Sequence, residues 1–220
     1  MQFLDLHTHI AALQPEVLRI QSLHLSEATF LAMPKQKPIS IGLHPWYTKF
    51  ADFPTLQKYL KVIAQQANVR MIGECGLDKL RGEDLSLQLE MLRFQVQLGD
   101  SLNKPIILHC VKAFDELIAL KNSLQPKVPL IIHGFQKNAQ LATQLLGQGF
   151  YLSVGASGLK SPSLSGFLKE YTGPVFLETD QGEVSIELIY EMYADLKKIS
   201  VEKLKDIIFA NWQQVGLLPY

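Results

Sequence analysis

The sequence predicts an α/β protein of the (β/α)8 TIM-barrel class, somewhat trimmed and ending in C-terminal helices. Short apolar stretches recur along all 220 residues with helical patterns between them, which is typical of a parallel sheet. Eight such stretches are present, the number that a closed barrel of this class needs. Because a typical barrel of this kind has about 250 residues, the chain is predicted to be a shortened version.

The predicted strands and helices alternate along the chain. Strands are expected near residues 2–7, 18–25, 39–43, 69–74, 105–109, 129–133, 150–154 and 174–179. Helices are expected near residues 54–67, 84–103, 112–123, 137–147, 161–170 and 184–198, with one or two more within 201–217. In the second helix of this set, apolar residues recur every three or four positions, which predicts the face that covers the sheet. They are Leu85, Leu89, Leu92 and Val96.

Composition favours one globular domain spanning residues 1–220. The chain is 47% hydrophobic and 19% charged, which argues against disorder. Its 21 basic and 21 acidic residues balance, so an extended basic face for gripping nucleic acid is not expected. The N-terminus has no signal-peptide pattern, and no apolar run approaches the roughly 18 residues of a membrane helix. We therefore expect a cytoplasmic protein without membrane contact.

Histidines and carboxylates stand at or near the carboxyl ends of five predicted strands. Because a parallel barrel collects its active-site residues at that end, side chains distant in sequence are expected to converge. Imidazoles and carboxylates without thiolates suit zinc, manganese, iron or magnesium ions. The sequence thus predicts a metal-dependent hydrolase with six ligands: His7, His9, Glu74, His109, His133 and Asp180.

The first and last strands are expected to meet at this site. Alternation along a strand puts His7 and His9 on the same side. A barrel's last strand lies beside its first, so Asp180 should lie near both histidines and can take a proton from water. Asp5 shares their side, and either orients an imidazole or pairs elsewhere.

The charges favour two divalent ions. Glu74 has two oxygens and can bridge two cations. Two divalent cations carry four positive charges, and Glu74 and Asp180 neutralise only two of them. The resulting electropositive pocket suits an anionic substrate. Two ions about 3.5–4 Å apart can activate a water and hold the oxygens of a phosphate. We therefore expect zinc, manganese or magnesium, in two copies.

The motifs DLHTH, IGLHPW, IGECGLD, PIILHC, IIHGF and FLETD together resemble the TatD family of metal-dependent hydrolases, within the amidohydrolase-like barrels. The resemblance implies a (β/α)8 barrel with one to three divalent ions, and in many members nuclease activity on DNA. It implies that His7, His9 and Asp180 hold one ion. It also implies that Glu74 bridges to a second ion.

That second ion would be held by His109 and His133. His44 in GLHPW matches a family histidine near the substrate phosphate, although the residues alone leave a structural hydrogen bond equally open. Asp180, His44 and Glu74 are thus the expected catalytic residues. Asp78 also matches a family position, or shapes a turn.

Three features depart from the family pattern or stay open. After His109 the family often has Ser-Arg, whereas this chain has Cys110 and Val111, so an arginine expected to grip phosphate is absent. Lys112 is a weak substitute. After Asp180 the family usually has Ala-Pro and a long loop, whereas this chain has Gln181-Gly182-Glu183 and an extra carboxylate. Trp46 is interpreted as a cap on the barrel mouth, with base stacking as the alternative.

Three functions follow from these patterns. The first is hydrolysis of phosphodiester bonds in DNA or in a small phosphodiester. The second is hydrolysis of an amide, ester or lactone, although related enzymes often have a carboxylated lysine where this chain has Glu74. The third is a metal-binding protein without catalysis, suggested by the missing arginine and the shortened loop.

Overall fold

A computed structural model describes residues 1–12, 14–182 and 184–218. The strands are β1 (Phe3–Thr8), β2 (Val17–His24), β3 (Ile39–Gly42), β4 (Val69–Asp78), β5 (Ile106–Val111), β6 (Leu130–Ile132), β7 (Tyr151–Val154) and β8 (Val175–Leu177). They form one eight-stranded sheet whose neighbours follow the chain order from β1 to β8. The predicted (β/α)8 TIM-barrel class is therefore confirmed.

Helices separate most of the strands. They are α1 (Glu27–Leu31), α2 (Phe53–Ile63), α3 (Leu85–Leu102), α4 (Phe114–Leu124), α5 (Ala139–Gly147), α6 (Ala156–Lys160), α7 (Pro162–Glu170), α8 (Ile186–Lys197) and α9 (Val201–Gln214). A 3₁₀ turn at Phe50–Asp52 precedes α2. The sequence did not predict α1 or α6, because five residues are too few for an amphipathic period to be visible.

Polar caps fix where four helices begin. The side chains of Ser26, Asn138, Ser185 and Ser200 each accept a hydrogen bond from a backbone N–H in the first turn of α1, α5, α8 and α9. Such caps satisfy donors that the helix itself leaves unpaired. No helix in the described part of the chain is both long enough and apolar enough to cross a membrane.

The chain forms two compact units. The first unit comprises Met1–Gln21 and Ile131–Tyr220, and the second unit comprises Ser22–Leu130. A single domain over residues 1–220 stays a prediction.

In the first unit, the ends of the first and last strands are joined. β6, β7 and β8 pair in parallel, and β1 pairs with the start of β2. Beyond β8, the Asp180 N–H donates to the His7 carbonyl at 3.0 Å, and the His9 N–H donates to the Asp180 carbonyl at 2.8 Å. Thr8, the last residue of β1, and Asp180 thus form a parallel bridge that continues the sheet past the end of β8.

In the second unit, β4 pairs with β3 and β5, and α3 packs against β4. The buried face of α3 differs from the predicted one. Leu92 and Val96 are buried as expected, but Leu85 and Leu89 are only half-buried. Gln88 and Gln95 are buried instead, because their amides hydrogen-bond to backbone groups of the strand ends.

Candidate active site

Four of the predicted ligands gather in the first unit, and we call them the first cluster: His7, His9, His133 and Asp180. The Oδ1 atom of Asp180 lies 3.7 Å from Nε2 of His7 and 3.6 Å from Nε2 of His9. The rings of His7 and His133 are 4.3 Å apart. Potential ligand atoms of His7, His133 and Asp180 all lie within 4.8 Å of one another, which is close enough for one ion.

The backbone explains how Asp180 reaches the histidines. Its φ of 51° lies in the left-handed region that aspartate adopts more readily than most residues. Its backbone N–H and carbonyl are both held by the bonds to His7 and His9 at the carboxyl end of β1. His7 is fully buried, whereas the side chains of His9 and Asp180 are 39% and 38% exposed. The cluster is therefore anchored inside the protein and open to solvent on one side.

Glu178, which was not singled out from the sequence, supports this cluster. Its Oε1 accepts a hydrogen bond from the Gly134 N–H at 2.6 Å and lies 3.4 Å from Nδ1 of His133. Burial would raise the pKa of Glu178, but hydrogen bonding and charge from His133, with His7 and Ser153, lower that pKa overall. A carboxylate beside Nδ1 makes Nε2 the nitrogen of His133 that could hold a metal ion. Glu178 is the glutamate of the FLETD motif, so that motif already contained this supporting residue.

Asp5 pairs with Thr179, which is the second of its two expected roles. Its carboxylate accepts from the Thr179 N–H at 3.0 Å and from the Thr179 hydroxyl at 2.8 Å. Burial raises the pKa of Asp5 to about 7, against the hydrogen bonds from Thr179, which lower it. Asp5 therefore ties the end of β8 to β1 and is not a strong anionic site at neutral pH.

A cavity of about 290 Å³ opens beside the first cluster. Asp180 and Glu178 lie in its wall together with polar groups that follow β6 and β7, namely Gln136 and, from α6, Ser157 and Lys160. This volume is at the lower end of the range for small-molecule sites, about 300–1,000 Å³. A substrate in this space reaches the exposed carboxylate of Asp180. The predicted extra carboxylate Glu183 lies outside the described residues.

The second unit gathers the other two predicted ligands, and we call this group the second cluster: His44, Glu74, Asp78 and His109. Oε1 of Glu74 lies 2.9 Å from Nε2 of His44 and 3.1 Å from Nδ1 of His109. Potential ligand atoms of these three side chains lie within 4.8 Å of one another. All four residues are buried. Buried carboxylates are costly unless they are paired with cations or donors.

His44 positions Glu74 in this cluster. The Trp46 N–H donates to Nδ1 of His44 at 3.1 Å, so in the neutral imidazole the proton is on Nε2. Nε2 therefore donates to Glu74 at 2.9 Å. With its side chain only 7% exposed, His44 is placed to orient the carboxylate, and this corresponds to the structural hydrogen bond that the sequence left open.

His109 lies between two carboxylates, and this arrangement fits a cation. Its Nδ1 is 3.1 Å from Glu74, and its Nε2 is 3.2 Å from Oδ2 of Asp78. An imidazole with acceptors at both nitrogens needs either two ring protons or one proton and a cation. When Nε2–H donates to Asp78, the lone pair of Nδ1 and the oxygen of Glu74 are left facing each other, as two ligands of one metal ion do.

Asp78 connects this site to the surface. Its Oδ2 accepts a 2.6 Å hydrogen bond from Nε1 of Trp46, and its Oδ1 accepts one from the Leu80 N–H at 2.7 Å. Burial would raise the pKa of Asp78, but the bonds from Trp46, Leu80 and His109 lower it overall. Asp78 is the last residue of β4 and carries an ionised carboxylate.

Comparison with known proteins agrees with this fold and these residue types. The family model described as TatD related DNase matches residues 8–215. A metal-dependent hydrolase of Methanocaldococcus jannaschii is 26% identical over 187 residues, covering 79% of this chain and 73% of that protein. A 3'-5' ssDNA/RNA exonuclease TatD of Pantoea ananatis is 35% identical over 121 residues, covering 53% of this chain and 45% of that protein. The aligned region thus spans less than half of the exonuclease.

Solved structures give the same answer for the fold. The crystal structure of the TatD homologue YjjV from Escherichia coli superposes with a TM-score of 0.80 at 22% identity, covering 99% of this chain and 98% of that one. A TatD-family hydrolase from Entamoeba histolytica gives a TM-score of 0.74 at 16% identity, covering 97% of each chain. At these identities the two structures support the fold alone. Taken with the family match over nearly the whole length, they show that the chain belongs to the family of TatD-related DNases.

Proposed function

We propose that the protein is a cytoplasmic, metal-dependent phosphodiesterase that cleaves single-stranded nucleic acid. The observation that carries this proposal is the pair of histidine–carboxylate groups whose ligand atoms lie within 4.8 Å of one another. The names of the Pantoea relative and of the matching family both point to nucleic acid as substrate. The imidazole nitrogens suit zinc and the carboxylate oxygens suit manganese and magnesium, so the proposal includes all three ions.

The proposed ligands are the six residues predicted from the sequence: His7, His9, Glu74, His109, His133 and Asp180. A divalent cation held by them supplies Lewis-acid chemistry, because it acidifies water and offsets the negative charge of a phosphate. Two ions and a bridging Glu74 stay predictions. Glu178 orients His133, and Asp78 orients His109, so that each imidazole presents one nitrogen to the cation.

Asp180 is the proposed proton acceptor. Its side chain is 38% exposed and lines the cavity in which substrate can approach. A carboxylate in that position can hold the attacking water and take its proton. His44 keeps Glu74 in place through the 2.9 Å bond and is proposed to act on the substrate only through that carboxylate.

The test is cleavage by protein that has been stripped with a chelator and refilled with manganese, magnesium or zinc. Single-stranded oligonucleotides and bis(p-nitrophenyl) phosphate should be hydrolysed, and Asp180→Asn should lower kcat by about 10²- to 10⁴-fold. Asp195→Asn, the same change at an exposed position on α8, is the matched control and should keep full activity. Each protein's metal content is measured in parallel.

Three outcomes separate the alternatives. If no phosphodiester is cleaved by any ion while the metal sites are filled, the proposal is wrong. If p-nitrophenyl acetate or a lactone is cleaved faster than the phosphodiesters, the acyl-hydrolase interpretation replaces it. If neither class of substrate is cleaved while ions are bound, the protein is a metal-binding protein without catalysis, and if Asp180→Asn cleaves as wild type does, Asp180 is not the proton acceptor.

A further inference from the structure

The loop after β4 presents an arginine beside the second cluster. The guanidinium carbon of Arg81 lies 4.6 Å from the centroid of the Trp46 ring. Within the part of the chain that the structure describes, Arg81 has no carboxylate or carbonyl partner for its guanidinium. Lys79 in the same loop is instead paired with Glu116 at 2.6 Å. Arg81 is exposed and packs against the face of the Trp46 ring. Its guanidinium N–H groups are therefore available to a ligand.

The backbone of this loop is held in place by hydrogen bonds to a buried side chain of α3. Gln88, 1% exposed on α3, points Nε2 at the carbonyls of Asp78, Arg81 and Glu83, at 2.9, 3.0 and 2.7 Å, which share its two N–H donors. Its Oε1 accepts from the Asp78 N–H at 2.7 Å. A buried amide that uses both ends in this way holds the loop in one conformation. A binding group on such a loop loses little entropy when a ligand arrives.

Trp46 links the arginine to the candidate active site. Its indole N–H is fixed on Asp78, and its ring centroid lies 5.1 Å from those of His44 and His109. Trp46 is still 36% exposed, and the neighbouring Tyr47 is 61% exposed. Arg81 thus stands one ring away from the proposed metal ligands, next to exposed aromatic surface.

A guanidinium in this setting matches phosphate. Arginine binds phosphate oxygens through two parallel N–H bonds, and its planar group can stay stacked on an aromatic ring while it does so. Exposed aromatic rings offer stacking surface to bases of a single strand. The position after His109, where an arginine was expected to grip phosphate, holds Cys110 and Val111 instead.

We propose that Arg81, stacked on Trp46, binds a backbone phosphate of the single-stranded substrate next to the second cluster, with Trp46 and Tyr47 receiving the adjacent base. This subsite rests on the proposed function, because it assumes a nucleic acid substrate. It assigns the phosphate grip to the loop after β4 rather than to the end of β5.

The test measures binding without cleavage, on protein kept free of divalent ions with a chelator. A fluorescein-labelled oligo(dT) is titrated by anisotropy at several salt concentrations with wild type, Arg81→Gln and Arg93→Gln. Arg93 is an exposed arginine on α3, so its change removes the same charge from another surface. We expect Arg81→Gln to weaken binding about tenfold and to reduce the salt slope by about 0.7, one phosphate contact to a single strand. Arg93→Gln should match wild type.

Intrinsic fluorescence tests the stacking. The chain has two tryptophans, and the other one, Trp212, is 1% exposed. Oligo(dT) should quench wild-type fluorescence, and Trp46→Phe should abolish the change. Thymidine monophosphate and bis(p-nitrophenyl) phosphate, titrated in separate arms, distinguish a nucleotide site from a general phosphate site. Equal melting temperatures show that each variant is folded.

The subsite proposal is wrong if wild type does not bind oligo(dT), or if Arg81→Gln keeps both the affinity and the salt slope of Arg93→Gln. These results are separable from failure of the proposed function. Binding through Arg81 without cleavage of any phosphodiester contradicts the function alone. Cleavage of oligonucleotides with an unchanged KM in Arg81→Gln contradicts the subsite alone.

Discussion

The Trp46 indole donates a 2.6 Å hydrogen bond to the Asp78 carboxylate, and the accepting oxygen also lies 3.2 Å from Nε2 of His109. One buried oxygen therefore fixes both an exposed aromatic ring and a proposed metal ligand. The same carboxylate receives the Leu80 N–H, so the loop that carries Arg81 starts from this point. The geometry of the second cluster and that of the surface beside it are consequently coupled.

Asp78→Asn should weaken metal binding. The amide can still accept from Trp46, but it removes the negative charge that holds the Nε2 proton of His109. Loss of such a supporting carboxylate typically lowers metal affinity about 10- to 100-fold. Affinity is measured by competition with a chromogenic chelator, and the His109 tautomer by ring nitrogen NMR. Asp84→Asn, an exposed aspartate that makes no side-chain cap bond, is the control. Equal affinities in the two variants would contradict the role of Asp78.

Glu178→Gln should have a matching effect on the first cluster. Glutamine can keep the bond from the Gly134 N–H, but it lacks the charge that lies 3.4 Å from Nδ1 of His133. We expect metal affinity to fall about 10- to 100-fold while the fold is kept. Isothermal titration with zinc gives the affinity, and circular dichroism gives the fold. Glu170→Gln at the exposed end of α7 should behave as wild type. Unchanged zinc affinity would show that Glu178 has only a structural role.

Acid should destabilise the metal-free protein partly through His24. Burial, with the nearby His44, lowers the pKa of His24 from 6.5 to about 4, against an opposite effect of Glu74. Because the unfolded chain takes up the proton first, the stability that neutral His24 contributes is complete above pH 6.5 and is lost as pH falls towards 4. After allowance for partial exposure the loss is ~2 kcal/mol.

The measurement for His24 is urea unfolding of wild type and His24→Asn at pH 7 and pH 4.5, with chelator present. From pH 7 to pH 4.5, the unfolding free energy of wild type should fall by more than that of the variant. Asp5, whose pKa is raised to about 7, contributes stability that is lost as pH rises, and it cancels in this comparison. A difference that is the same at both pH values would show that His24 does not titrate in this range.

Gly158→Ala should destabilise the first unit. A β-carbon at this position would lie 2.5 Å from the carbonyl oxygen of Phe135 and 2.6 Å from Cγ1 of Val154. Relief of this overlap requires a backbone shift, and overpacking of this kind costs about 1–3 kcal/mol. Gly166→Ala in α7 meets nothing within 4 Å and should instead stabilise by about 0.5–1 kcal/mol. Urea unfolding measures both, and equal stabilities of the two variants would contradict the predicted overlap.

The two glutamines of α3 show where sequence patterns reach their limit. Apolar spacing identified the helix and half of its buried face, because that period follows from the geometry of the helix alone. Gln88 and Gln95 were not expected in the interior, because polar side chains are usually exposed. Gln95 is buried against Leu43, which is 52 residues away in the sequence, and Gln88 is buried against Asp78, which is 10 residues away.

The sequence by itself determined the eight strands, the (β/α)8 class and the residue types at the strand ends, since alternation and apolar runs are local properties of the chain. The sequence also predicted that Asp180 lies near His7 and His9, but only the tertiary structure decided which groups hold each acid and each imidazole in place. Asp180 meets His7 and His9 because the backbone past β8 bonds to that of β1, while Glu178, Asp78 and His44 take supporting positions that no spacing reveals. Such pairings depend on strand register and side-chain rotamers, and these are fixed only when distant segments pack against one another.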